Sequence, residues 1–175
     1  MTFVPKKLSI IIPVYNEHKT IEEVINRVLA VDIGMDRELI VLDGNSTDGT
    51  REYLQSLRDP RIRVILEGRR GGKGAAVRLG YEHATGDVVI IQDADLELDP
   101  AEFPRLLAPI LNGQTQGVYG SRFACGRGKT PFGSFMGNKI ITWVTNLLFF
   151  SCLTDIATAY KVIRKDVLDL SLIHI

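Results

Sequence analysis

Asp87-Val88-Val89-Ile90-Ile91-Gln92-Asp93-Ala94-Asp95-Leu96-Glu97-Leu98-Asp99-Pro100 decides how the fold is read. Its first half is an unbroken, β-branched apolar run, the pattern of a strand buried on both faces. Its second half sets carboxylates at every other position, at Asp93, Asp95, Glu97 and Asp99, directly after that strand. The stretch closes on Asp99-Pro100, an acid suited to cap a helix followed by a proline suited to its first position. A buried strand that delivers polar residues and then opens a helix is the unit of an open α/β sheet. Ligands of such sheets bind beyond the carboxyl ends of the strands.

The same unit recurs toward the N-terminus. Residues 8–14 predict a buried strand, and residues 20–30 predict a helix carrying an apolar stripe of Ile21, Val24, Ile25, Val28 and Leu29. Residues 38–42 predict a second strand, followed by the turn Ser46-Thr47-Asp48-Gly49-Thr50 into a helix with Tyr53, Leu54 and Leu57 on one face. A third strand is predicted over 61–67, a glycine-rich helix entry and helix over 71–84, and a helix over 100–111. Strand–helix alternation of this kind predicts an α/β sandwich with a mainly parallel sheet. Three strands deliver polar residues to one edge: Tyr15-Asn16-Glu17, Asp43-Gly44-Asn45 and Asp93-Ala94-Asp95. Beyond residue 117 the pattern changes to a short strand near 117–121, a glycine-rich loop over 124–137, a helix over about 136–150, and a loop plus strand over 154–163.

Bulk properties narrow the class. The chain has 175 residues, 45% of them hydrophobic and 24% charged, which suits a globular domain with a core. Lys plus Arg equals Asp plus Glu at 21 each, and this neutrality argues against a nucleic-acid partner, whose affinity would come from many phosphate contacts. Cys125 and Cys152 lack the spacing of a zinc site or a disulfide framework. No secretory signal is visible, and the apolar stretch 140–153 is too short and too polar for a span of roughly 20 residues. A cytoplasmic protein, with peripheral contact at the cytoplasmic membrane face, is expected.

Extended residues at period two share one side of a chain, so Asp93, Asp95 and Glu97 could hold one hard cation, Mg²⁺ or Mn²⁺. Close carboxylates repel unless a cation or protons compensate. The alternative is a solvated acidic loop capping the next helix. Gly68-Arg69-Arg70-Gly71-Gly72-Lys73-Gly74 is a glycine-rich helix entry whose N–H groups favour anions, yet it matches neither a P-loop nor a dinucleotide fingerprint. Asp43 could cap a helix or accept hydrogen bonds from a base or ribose. Arg122, Arg127 and Lys129 supply later cations for phosphate, or belong to a solvated loop. His18, His83 and His174 have no spacing that suggests ligation or a triad.

Taken in order, these motifs resemble family 2 glycosyltransferases. Ser9-Ile10-Ile11-Ile12-Pro13-Val14-Tyr15-Asn16-Glu17 resembles that family's opening, and Asp43-Gly44-Asn45-Ser46-Thr47-Asp48-Gly49-Thr50 its second motif. Gly72-Lys73-Gly74-Ala75-Ala76-Val77-Arg78-Leu79-Gly80 resembles its helix entry. Asp93-Ala94-Asp95-Leu96-Glu97-Leu98-Asp99-Pro100 resembles the acidic motif of its dolichyl-phosphate mannosyltransferase-like branch. Gly120-Ser121-Arg122-Phe123, Asn138, Thr154-Asp155 and Tyr160-Lys161 continue the order, so the resemblance covers about residues 8–164.

The resemblance implies a GT-A fold, a Rossmann-like nucleotide-diphospho-sugar transferase with a mainly parallel sheet. It implies one domain over 1–175, with the nucleotide-sugar and metal half at about 8–121 and the acceptor-side segment at about 122–170. The implied reaction inverts the anomeric carbon while moving a hexose from a GDP-mannose or UDP-glucose type donor to a polyprenyl phosphate. By the same resemblance Pro13, Tyr15, Glu17, Asp43, Lys73, Ala94 and Asp95 bind the nucleotide sugar. Asp93, Asp95 and Glu97 bind Mg²⁺ or Mn²⁺, Asp95 and Arg122 are catalytic, and Arg122 and Arg127 face the acceptor phosphate. Three departures stand out. Gly44 occupies the place of the second motif's second Asp, and Ala159 precedes Tyr160-Lys161 where Gly or Cys is usual. The chain also stops soon after Asp166-Val167-Leu168, so a C-terminal truncation is expected. A hydroxyl acceptor, which would need a general base, and a sugar-nucleotide-binding module without turnover remain as alternatives. A dehydrogenase is disfavoured by the missing dinucleotide fingerprint.

Overall fold

In the computed structural model, residues 4–121, 132–150, 154–155, 158 and 160–173 are described. The chain divides into two compact units, one formed by Met1–Val118 with Val162–Ile175 and the other by Tyr119–Lys161.

The first unit is built on strands β1 (Lys7–Val14), β2 (Asp36–Asp43), β3 (Ile62–Leu66) and β4 (Val88–Ile91). They alternate with helices α1 (Ile21–Ala30), α2 (Thr50–Ser56) and α3 (Lys73–His83). The short strands β5 (Gly117–Tyr119) and β6 (Lys161–Arg164) complete a sheet of order β3-β2-β1-β4-β6-β5. β1 pairs in parallel with β2 and β4, β2 in parallel with β3, and β6 antiparallel to β4. This is the GT-A architecture, and it matches the expectation of a mainly parallel sheet.

Side chains of a strand alternate between faces, and here both faces are covered. On one face Ile11, Ile40, Leu42 and Val89 pack with Ala76, Ala84 and Leu168 in a single buried cluster. Their strand neighbours Ile10, Ile12, Leu39, Val41 and Ile90 point the other way and are equally buried. Burial on both sides explains why these strands read as continuous apolar runs. α3 packs directly on β1 and β2, and Gly80 makes that approach possible. A Cβ there would meet Ile11 Cγ2 at 2.5 Å and Leu42 Cδ1 at 3.1 Å.

Several local expectations are corrected. The segment read as one helix over 100–111 begins as a 3-10 turn, Pro100–Glu102, capped by Asp99, whose carboxylate accepts from the Ala101 N–H at 3.1 Å. α4 then runs Phe103–Leu111. α5 spans Phe132–Phe149, so the helix begins inside the stretch read as a glycine-rich loop. A further helix, α6 (Lys165–Ile173), follows β6 and places Leu168 in the core. The acidic run after β4 is not extended: residues 94–98 form bends, with Leu96 at φ 62°. A left-handed leucine is uncommon, and it ends the period-two alternation on which the three-carboxylate cluster depended.

Candidate active site

The loops after β1 and β2 are held together by hydrogen bonds. The Asn16 N–H donates to Ser46 Oγ at 2.9 Å, the Glu17 N–H to Thr50 Oγ1 at 3.0 Å, and the His18 N–H to Asp48 Oδ2 at 3.1 Å. In return Asn16 Oδ1 accepts from the Thr47 N–H at 2.9 Å. The Ser-Thr-Asp-Gly-Thr turn therefore clamps the loop after β1. Burial pushes the Asp48 carboxyl up, but bonds from the Thr50 hydroxyl and from the His18 and Thr50 N–H groups hold it below the usual carboxylate range. Asn16 and Asn45 adopt φ of 56° and 67°, a left-handed geometry that Asn tolerates better than most residues.

Over this edge lies a cleft of about 220 Å³ lined by Pro13, Val14, Tyr15, Glu17, Gly44, Arg70, Gly72, Lys73, Ala76, Asp93, Ala94 and Asp95. Seven residues singled out in the sequence, Pro13, Tyr15, Glu17, Lys73, Asp93, Ala94 and Asp95, thus share one cavity within the first unit. Lys73 Nζ lies 2.5 Å from Asp93 Oδ1. Asp95 Oδ1 accepts from the Glu97 N–H at 3.0 Å, and this bond shapes the bend that leaves Glu97 outside the lining. Among the described residues no three His, Cys, Asp or Glu side chains are grouped to hold a metal ion.

Asp43 is placed differently. Its carboxylate is fully buried, stands 2.9 Å from Arg51 Nε and accepts from the Ser46 N–H at 3.2 Å. The wall at that point is its neighbour Gly44. Arg51 is fixed further by Asn45 Oδ1 at 2.8 Å and the Glu67 carbonyl at 2.6 Å. Arg122 and Arg127 lie outside the described residues.

Sequence reasoning passed over Arg70. Its guanidinium stacks on the Tyr15 ring at 3.9 Å from the centroid, a cation–π contact that forms part of the cleft wall. The available signal was position: Arg70 sits in the loop between β3 and α3, which opens onto the same sheet edge as the acidic run. Gly72, at φ 84°, precedes the first turn of α3 and lines the cleft with Lys73. N–H groups at a helix start attract anions, so the cleft lining combines the cations Arg70 and Lys73 and the α3 terminus with the acids Glu17, Asp93 and Asp95.

A mainly parallel sheet with a cleft at its carboxyl edge, lined by two aspartates and a glycine-opened helix, has the GT-A architecture. The chain belongs to glycosyl transferase family 2, whose model it matches over residues 9–170. It is 37% identical over 121 residues to the dolichol-phosphate mannosyltransferase of Pyrococcus furiosus, an alignment covering 69% of this chain and 34% of that protein. It is 39% identical over 108 residues to the undecaprenyl-phosphate 4-deoxy-4-formamido-L-arabinose transferase of Salmonella paratyphi A, covering 59% of this chain and 33% of that protein. The chain thus spans about a third of the length of these curated relatives. Among solved structures, glucosyl-3-phosphoglycerate synthase from Mycobacterium tuberculosis with Mn²⁺, UDP and glucosyl-3-phosphoglycerate superposes with TM-score 0.72 at 26% identity, over 93% of this chain and 58% of that one. A mannosyltransferase from Pyrobaculum calidifontis with GDP-Man and Mn²⁺ gives TM-score 0.59 at 30% identity, over 70% and 37%.

Proposed function

We propose that the chain carries the donor site of an inverting glycosyltransferase that moves a hexose from a nucleoside-diphosphate sugar to a polyprenyl phosphate. The observation that carries this reading is the shared cleft of Asp93, Asp95, Lys73 and the α3 N-terminus. Tyr15 and Arg70 offer a flat, cationic wall for the nucleoside, with Pro13 and Glu17 beside it. Lys73 and the first N–H groups of α3 face the diphosphate.

Mg²⁺ or Mn²⁺ fits the donor set, because two carboxylates plus substrate phosphates make the oxygen-rich environment these ions favour. Held by Asp93 and Asp95, such an ion would neutralise charge on the leaving nucleoside diphosphate. Glu97 stands outside that pair and serves the bend through its N–H. The solved relatives named above contain Mn²⁺ with UDP or GDP-Man, and the curated relatives are named for dolichol-phosphate and undecaprenyl-phosphate, which supports both halves of the proposal.

In the transfer, an acceptor phosphate oxygen forms a bond to the anomeric carbon as the bond to the diphosphate breaks, and the nucleoside diphosphate leaves with that electron pair. A phosphate monoester has a second pKa near ~6, so it is largely anionic at neutral pH and needs little help from a base. Arg122 is assigned to balance phosphate charge during this exchange, with Arg127 on the acceptor side. Lys73 stays with the diphosphate as its charge grows.

The test is transfer of radiolabelled sugar from GDP-mannose or UDP-glucose, with Mn²⁺, to a short polyprenyl phosphate. Label moving into the organic phase supports the proposal. Label moving only into water-soluble acceptors favours a hydroxyl acceptor, and no transfer by a chain that still binds nucleotide favours a binding module.

A further inference from the structure

Arg51 follows directly on the Ser-Thr-Asp-Gly-Thr turn, as the second residue of α2, and is not among the residues that line the cleft. Its guanidinium nevertheless reaches three points beside it. Nε stands 2.9 Å from Asp43 Oδ2, Nη1 donates to Asn45 Oδ1 at 2.8 Å, and Nη2 donates to the Glu67 carbonyl at 2.6 Å. Asp43 ends β2, Asn45 lies just beyond it, and Glu67 is the first residue after β3. One side chain therefore joins the loop after β2 to the start of the loop that leads into α3.

Those two loops flank Tyr15. Gly44, between Asp43 and Asn45, lines the cleft and lies against Tyr15, since a Cβ there would sit 3.7 Å from Tyr15 Cβ and Cδ2. Arg70, in the loop that Glu67 opens, stacks on the same ring. Glu67 is fixed further on both sides: its N–H donates to the Asp43 carbonyl at 2.9 Å, and its Oε2 accepts from the Gly71 N–H at 3.4 Å. The residues assigned to the diphosphate and the cation are held separately. Lys73 pairs with Asp93, and Asp95 accepts from the Glu97 N–H.

The arrangement asks for arginine rather than for any cation. Asp43 is fully buried, and a buried carboxylate is costly without a charged partner. Lysine would meet that need, yet its ammonium is a point charge, whereas the planar guanidinium serves three acceptors in different directions at once.

We propose that Arg51 is a positioning residue for the nucleoside: it sets the gap between Gly44 and Arg70 on either side of Tyr15, and so fixes how base and ribose seat, without touching the substrate. The proposal rests on the donor-site reading and adds to it a residue outside the cleft.

The test compares calorimetric binding of GDP and UDP with that of inorganic pyrophosphate, all with Mn²⁺, in the full chain and three variants. Arg51→Lys keeps the charge beside Asp43 and loses the fork. Asn45→Gly keeps the left-handed backbone, which glycine adopts freely, and removes one anchor of the fork while leaving the Asp43 pair intact. Glu38→Gln lowers stability at the far edge of the sheet. The expected result is that Arg51→Lys weakens the nucleotide that wild type binds about tenfold, the size of one lost charge-assisted hydrogen bond. Asn45→Gly should weaken it less, and pyrophosphate affinity should stay as in wild type for both. Glu38→Gln should change neither ligand, although its thermal midpoint falls. Nucleotide affinity unchanged in Arg51→Lys overturns the proposal. So does an equal fall for nucleotide and pyrophosphate, or a fall of the same size in Glu38→Gln, either of which reduces Arg51 to a general brace of the fold. A wild-type chain that unfolds cooperatively and binds neither nucleotide would instead overturn the donor-site reading.

Discussion

Lys73, the first residue of α3, holds its ammonium 2.5 Å from the carboxylate of Asp93, two residues past the end of β4. Both residues line the cleft, and under the proposed function each would have a second use when a donor arrives: Lys73 toward diphosphate, Asp93 toward a cation. Lys73→Met should therefore weaken nucleoside-diphosphate binding about tenfold, the order expected for one charge-assisted contact. It should also strengthen Mn²⁺ binding without nucleotide, because Asp93 loses its competing partner. Calorimetry with nucleotide and paramagnetic resonance with Mn²⁺ alone read the two effects separately.

Thr50 ties the first two loops together, since its hydroxyl accepts from the Glu17 N–H at 3.0 Å while donating to Asp48 Oδ1 at 2.6 Å. Thr50→Val keeps the shape and removes both bonds from a fully buried position. The expected loss is about 1–3 kcal/mol in urea unfolding, the cost of leaving a buried N–H unmade. Nucleotide affinity should fall with it, because Tyr15 and Glu17 line the cleft on the loop so released.

Gly80 sits where α3 presses on β1. Ala is favoured over Gly in a helix by about 1 kcal/mol. Its Cβ, however, would meet Ile11 Cγ2 at 2.5 Å, and Ile11 is fully buried. Overpacking costs about 1–3 kcal/mol, so Gly80→Ala should lower the unfolding midpoint despite its better propensity. A raised midpoint would show that α3 stands farther from β1 than described.

At the opposite, N-terminal edge of the sheet, burial pushes the Glu38 carboxyl up, yet bonds from Ser9, Lys7 and Thr85 outweigh it and bring it from 4.5 to about 2. A depressed folded-state pKa gives stability that is fully present above about 4.5 and is lost as pH falls through about 2. Screened by solvent at this partly buried position, the contribution is on the order of 1–2 kcal/mol at neutral pH. In urea titrations Glu38→Gln should be less stable than wild type at pH 7, with the gap closing as the pH is lowered toward 2.

The sheet was legible because both faces of β1, β2 and β4 are covered, which turns their residues into uninterrupted apolar runs such as Ile10-Ile11-Ile12 and Val88-Val89-Ile90-Ile91. The edge carrying the site was legible for the same reason, as the polar residues begin where those runs stop. What failed was local geometry. Nothing in Asp93-Ala94-Asp95-Leu96-Glu97 announces a left-handed Leu96, so the period-two alternation was carried past the strand's end. The start of α5 was hidden by Gly133 and Gly137, residues that disfavour a helix intrinsically but are admitted here by context. Arg70 was missed because its role comes from stacking on Tyr15, a residue 55 positions earlier in the chain.

The central claim, that the cleft over β1, β2 and β4 binds a nucleoside diphosphate with a divalent cation, is tested most directly by calorimetric titration of the chain and its Asp95→Asn variant with GDP and UDP, with and without Mn²⁺. The account predicts that one nucleotide binds, that binding depends on Mn²⁺, and that Asp95→Asn weakens it at least about tenfold while leaving thermal unfolding unchanged. Equal binding by the variant, or no binding by a cooperatively folded wild-type chain, would contradict it.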